Sequence, residues 1–120
     1  MKNKIEIIPE LNNYRELIDY AEENYKENIA YKYKENTTSK PVEKTYKQTV
    51  EDVKALSTAL LNKGLSGKKI ALIGSNRYEW CISYFGVTCA GIVVAPMDKD
   101  LPEKEIQSLI KRSEIDAVIF

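Results

Sequence analysis

"KKIALIGSNRYEW", residues 68–80, decides how the chain is to be read. An apolar run, Ile70–Ile73, stops at Gly74 and leads within a few residues into a helix start. Nucleotide-binding folds often place a phosphate at such a junction, and other folds use it only to pass from strand to helix. The unbroken apolar run predicts a strand covered on both faces. Gly74 permits a tight exit, and Asn76 is read as the helix cap, with Glu79 as its reciprocal acid three positions on. Trp80 is read as a core or inter-helix anchor whose indole N–H needs one partner. The stretch is therefore a structural turn first and a ligand loop second.

On the amino-terminal side, Asn13 and Glu16 have capping-box spacing, and Leu17, Ile18, Ala21 and Tyr25 recur at helical intervals. "IAYKYK" (29–34) alternates like a half-buried strand, "ENTTSKP" (35–41) is a loop, and "VEKT" (42–45) returns as a second strand. Asn36-Thr37-Thr38 fits a glycosylation pattern but is read as plain loop. Thr45 with Gln48 opens a helix over 46–63 whose inner stripe is Val50, Val53, Ser57, Leu60 and Leu61. Lys63 suits the negative helix end, and Gly64 suits the left-handed position beyond it.

On the carboxyl side, "YEWCISYFGVTCA" (78–90) is apolar around most of its circumference and should be deeply packed. Gly91 ends it, and "IVVAPM" (92–97) is a further buried-type strand. Pro102, Glu103 and Glu105 belong to the first turn of a last helix with Ile106, Leu109 and Ile110 inside and Lys111 and Arg112 closing it. "DAVIF" (116–120) is a final strand. The expected class is α/β: a helix and short strand pair over residues 1–45, then alternating helix and strand over 46–120. That alternation predicts a mostly parallel sheet flanked by helices, with right-handed crossovers. A parallel strand at the terminus calls for a covering helix, so the chain is expected to be an amino-terminal piece of a longer protein.

Composition removes several function classes. The 18 basic and 18 acidic residues cancel, which is not the footprint of a nucleic-acid binder. No apolar stretch is long enough to span a membrane, and "MKNKIEIIPELNN" has no secretory core, so a cytoplasmic setting is expected. Without any histidine there is no Ser-His or Cys-His pair and no Cys/His metal site. Cys81 and Cys89, on one helix, lie roughly 12 Å apart along its axis, beyond the reach of about 7 Å that a disulfide allows. They are read as small apolar packing residues. The acids sit beside lysines on polar helix faces, and none is assigned acid–base work, so no catalytic and no metal residue is named.

Over roughly residues 13–120 the order of features resembles the amino-terminal region of the AMP-forming adenylate ligases, and within them the long-chain fatty acid–CoA ligases. The residues that carry it are Thr45-Tyr46, Gly64-Leu65, Asn76, Glu79-Trp80, Ala90-Gly91 before a valine-rich strand to Pro96, Leu101-Pro102 and "DAVIF". "PMDKDLPEKEI" (96–106) is closer to the long-chain acyl-CoA branch than to the peptide-synthetase branch. The resemblance implies a parent enzyme that uses ATP and Mg²⁺ to adenylate a fatty acid and coenzyme A to take the acyl group. It also implies that the rest of the ligase chain is this segment's partner. The glycine-, serine- and threonine-rich phosphate loop, the ribose-holding acid and the adenylation lysine of that family have no counterpart before Phe120. "LSGKK" (65–69) has one glycine and precedes its strand, so it carries little weight. The fragment itself is thus expected to bind no cofactor and to be non-catalytic.

Two loops nevertheless leave carboxyl ends of strands, where open α/β sheets bind ligands. They make Ser75, Asn76, Asp98 and Lys99 candidate ligand-facing residues. The alternative to a ligase fragment is a stand-alone α/β binding or interaction module, though neither clustered aspartates nor a G-x-G-x-x-G turn follows the first strand. Eight tyrosines leave room for a homodimer surface.

Overall fold

The computed structural model describes residues 7–120; the first six residues of the leading 1–45 segment lie outside the described residues. The order is α1 (Tyr14–Tyr25), β1 (Ile29–Tyr33), β2 (Val42–Thr45), α2 (Tyr46–Asn62), β3 (Lys69–Ile73), α3 (Tyr78–Cys89), β4 (Val93–Met97), α4 (Glu103–Arg112) and β5 (Ala117–Ile119). β1 and β2 form an antiparallel pair, while β4, β3 and β5 form a parallel sheet in that order. The α/β class, the leading helix and strand pair, and the parallel sheet flanked by helices all match the sequence reading.

Local chemistry sets the helix ends. The Asn13 side chain accepts from the Glu16 N–H at 2.9 Å, but Glu16 reaches back to the Asn12 N–H at 2.8 Å instead of that of Asn13. At α2 both halves of the capping box form: the Gln48 N–H donates to Thr45 Oγ1 at 3.1 Å, and the Thr45 N–H donates to Gln48 Oε1 at 2.9 Å. The carboxyl ends of α2, α3 and α4 share one device. In each, an N–H two residues beyond the cap returns to a carbonyl five residues earlier: Leu65 to Leu60, Ile92 to Val87, and Ile115 to Ile110. The left-handed residue between is Gly64, Gly91 and, without a glycine, Glu114 at φ 54°.

The core lies on one face of the sheet. Ile18 of α1, Val50 and Val53 of α2, and Tyr78 and Ile82 of α3 form one buried cluster. Leu60, Val87 and Ala90 join Ile70 of β3 and Ile92 in a second, backed by Val94, Ala117 and Ile119. α2 and α3 approach closely at Gly86, whose carbonyl accepts the buried Ser57 hydroxyl at 2.6 Å. A Cβ added at Gly86 would stand 2.7 Å from Leu56 Cδ2. Lys54 bridges helices, with Nζ 3.1 Å from Asp19 and 3.3 Å from Glu22 of α1. α3 is packed around most of its circumference, and Cys81 and Cys89 are free thiols.

Several expectations are corrected. Leu61 is 42% exposed and Thr49 takes its place in the buried stripe of α2, which continues along the same side one turn earlier. Leu17 points outward and only Ile18 of α1 is buried. β4 is not a fully buried strand, because it stands at the sheet edge and only β3 is central. Pro102 is the N-cap of α4 and not part of its first turn, since its extended ψ of 144° precedes the helical residues. α4 contains no buried residue, and Ile106, Leu109 and Ile110 remain partly exposed.

Candidate functional site

The strand order creates a crevice. From β3 the chain passes through α3 to β4 on one side, then through α4 back past β3 to β5. Right-handed crossovers in opposite lateral directions put α3 and α4 on opposite faces of the sheet. The loops leaving β3 and β4 therefore diverge, and the space between their carboxyl ends is the topological switch point where α/β sheets bind ligands. A cleft of about 390 Å³ lies there, lined by residues 74–76 and 96–100 together with Trp80. All four sequence-chosen residues, Ser75, Asn76, Asp98 and Lys99, line this one cleft.

Their local roles differ from the reading of the opening stretch. Asn76 does not cap α3: the cap position is Arg77, which makes no side-chain capping bond, and Asn76 is exposed. Arg77 instead places Nε 3.6 Å from Glu79. Gly74 is not in the left-handed region, and a Cβ there would meet only Trp80 Cδ1, at 3.7 Å. Trp80 is not the core anchor. Tyr78 takes that place, buried with its hydroxyl donating to Asp52 at 2.7 Å, while Trp80 is half-buried and stacked on Tyr84 at 5.6 Å. Burial, helped by Asp52, pushes the Tyr78 phenol well above its usual range, so it stays a neutral donor. Sequence reasoning missed that Trp80 is a shared wall. It lines the switch-point cleft, a second cleft of about 350 Å³ toward β5, and a third on the β1 side.

The charges of the cleft are spoken for. Asp98 Oδ1 accepts the Asp100 N–H at 2.8 Å, and the Asp98 carbonyl accepts the Leu101 N–H at 3.3 Å, so Asp98 shapes the turn before α4. Lys99 Nζ meets Asp100 Oδ1 at 2.8 Å, and this bond raises the lysine pKa. A bare triphosphate is poorly matched here. Asp98 and Asp100 would repel phosphate, and Lys99 already has its carboxylate. Among the described residues no three His, Cys, Asp or Glu side chains are placed to hold a metal. The "LSGKK" loop lies at the amino end of β3, the opposite end from the cleft, where Gly67 takes φ 72°. What the cleft offers is a small polar crevice with an indole wall and no nucleophile–base pair.

Comparison with known proteins bears on what such a scaffold belongs to. A family model described as AMP-binding enzyme matches residues 18–120. Over 76 residues the chain is 34% identical to 4-hydroxybutyrate–CoA ligase 2 of Metallosphaera sedula, covering 62% of this chain and 14% of that protein. Over 79 residues it is 27% identical to a mitochondrial medium-chain acyl-CoA ligase of Danio rerio, covering 65% of this chain and 13% of that protein. The chain thus spans about one seventh of the length of these relatives. Among solved structures, the N-terminal subdomain of Klebsiella oxytoca NpsA superposes with a TM-score of 0.79 at 19% identity, over 91% of this chain and 27% of that one. The N-terminal domain of FACL13 from Mycobacterium tuberculosis gives 0.79 at 22% identity, over 90% and 26%. These likenesses show the fold, and they agree with the helix, strand pair and parallel three-stranded sheet. No helix of the described residues is long and apolar enough to cross a membrane. With the strand order in place and a family match running from Ile18 to the last residue, the chain belongs to the AMP-binding enzyme family.

Proposed function

We propose that these 120 residues are the amino-terminal portion of a larger adenylate-forming domain in an ATP-dependent ligase of the cytoplasm. The ligase joins a long-chain fatty acid to coenzyme A through an acyl-adenylate. The reading is carried by the family match over residues 18–120, with coenzyme A ligases among the relatives. The long-chain branch rests on "PMDKDLPEKEI" (96–106). Within that enzyme the segment is scaffold: it supplies β3 and its neighbours, and their carboxyl-end loops form the crevice at the switch point. The reading assigns ATP, Mg²⁺ and coenzyme A to other residues of the longer protein, and for the bare triphosphate it is supported by the two carboxylates and the paired lysine of the crevice.

The test uses two proteins, the 120-residue chain and the natural-length protein. Each is assayed for acid-dependent exchange of pyrophosphate into ATP, with fatty acids of increasing length. Exchange by the natural-length protein that is strongest with long acids, and none by the short chain, is the expected result. Exchange by the 120 residues alone overturns the scaffold role. A preference for short or hydroxylated acids overturns the long-chain assignment.

A further inference from the structure

The cleft on the β1 side is larger than the one at the switch point, about 670 Å³, and lies between the end of β1 and the first turn of α3. That volume is within the range of roughly 300–1,000 Å³ usual for small-molecule sites. Its lining is tiled with aromatic rings. Tyr33 stacks on Tyr78 with centroids 5.7 Å apart and planes 12° apart, and Tyr31 meets Tyr78 edge-on at 5.3 Å. Trp80 adds its indole to the same lining. Rings so placed attract another flat ring by stacking or edge contact. The charged groups in the lining are Lys32, Lys34 and Arg77 against Glu35 and Glu79, three cations to two acids. Lys32 is paired with Glu43 on the neighbouring strand at 3.3 Å. Among the described residues Arg77 has an ion pair with Glu79, 3.6 Å at Nε with both side chains more than half exposed, so its guanidinium can still donate to an anion. Burial, with the Cys81 thiol beside it, pushes the Tyr31 phenol up to about 12; like any tyrosine it is protonated at neutral pH.

We propose that this cleft binds a flat aromatic anion, its ring lodged among Tyr31, Tyr33 and Trp80 and its charge facing Arg77. The site shares Trp80 and Asn76 with the switch-point crevice but takes its other ring contacts from β1, and it stands independently of the ligase reading.

Cys81 lines the same cleft, whereas Cys89, two turns along α3, lines a different and smaller one of about 190 Å³. This pair gives an internal control. In the natural-length protein, iodoacetamide labelling of both thiols is followed by peptide mass spectrometry. The competitors are naphthalene-1-sulfonate, which no acyl-activating chemistry can consume, and 1-naphthylmethylammonium. The sulfonate should slow labelling of Cys81 several-fold with Cys89 unchanged. The ammonium compound should protect about tenfold less well, as should the sulfonate on the exposed Arg77→Gln variant, which is the size of one charge-assisted hydrogen bond. Equal protection by the two compounds overturns the proposal. So do equal slowing at both thiols, a Cys81 that does not label at all, and no protection at about 1 mM sulfonate, a weak-binding limit.

Discussion

The two faces of the parallel sheet are built from similar side chains and covered very differently. On one, Ile70 is fully buried beneath α2 and α3, with Leu72 beside it and Val94, Ala117 and Ile119 joining the cluster. On the other, Val93 is 55% exposed and Val118 is 37% exposed, and α4 buries none of its own residues. Both faces alternate along the same three strands, so apolar character alone does not separate them. The difference comes from the number of helices each face receives. β3-α3-β4 and the earlier α2 stack on one side, while the single return crossover leaves α4 alone on the other. A strand's hydrophobicity states a demand for cover; topology decides how much is supplied.

The largest expected effect probes that difference directly. Ile70→Ala should cost about 3 kcal/mol, as a cavity in a packed core does, whereas Val93→Ala should cost less than about 1 kcal/mol. Urea midpoints of the two variants decide it, and similar losses would erase the contrast between the faces. Next come the helix starts. Thr45→Ala, which breaks a complete capping box on the covered side, should cost about 1 kcal/mol, and Asn76→Ala should stay within about 0.5 kcal/mol, as for other exposed sites. A full unit lost at Asn76 would restore it as a cap and count against Arg77.

A gain is expected on the sparsely covered side. Glu114 sits at φ 54°, where Gly64 and Gly91 serve the equivalent helix ends. Glu114→Gly should therefore stabilise by about 0.5–1 kcal/mol, the relief of a left-handed backbone net of glycine's flexibility. No rise in thermal midpoint would mean that the Ile115–Ile110 bond alone holds the turn. A pH-dependent effect concerns the aromatic hairpin. Burial raises Tyr31 from 10.0 to about 12, so its contribution is fully present below pH 10 and is lost as the pH rises toward 12. Urea midpoints followed through that range should fall, and less steeply in Tyr31→Phe; identical slopes would remove Tyr31 as the cause.

What could be read along the chain was whatever depends on neighbours three to five residues away. The Thr45–Gln48 box and the glycines after α2 and α3 are of this kind, because cap geometry is local. The third helix end is equally local but carries a weaker mark. Its signal was the apolar pair Ile110 and Ile115, spaced like Leu60–Leu65 and Val87–Ile92, with no glycine between to announce it. Tyr78 and Trp80 show the opposite case. Two residues apart on a helix, they point in nearly opposite directions, roughly 200° around the axis, so only one can enter the core. Both are large and aromatic, and nothing local ranks them.

The candidate site divides in the same way. That Ser75, Asn76, Asp98 and Lys99 would meet was legible, since consecutive parallel strands of a crossover place their carboxyl ends side by side. That Asp98 would be spent on its own turn, and that Lys99 would be held by Asp100, was not legible from residue type. The sequence by itself determined the element order, the parallel class and the family, because periodicity and caps are written within a few residues of each other. Only the tertiary structure decided which sheet face is sealed, which aromatic ring is core and which is cleft wall. Those outcomes depend on distant segments competing for the same surface.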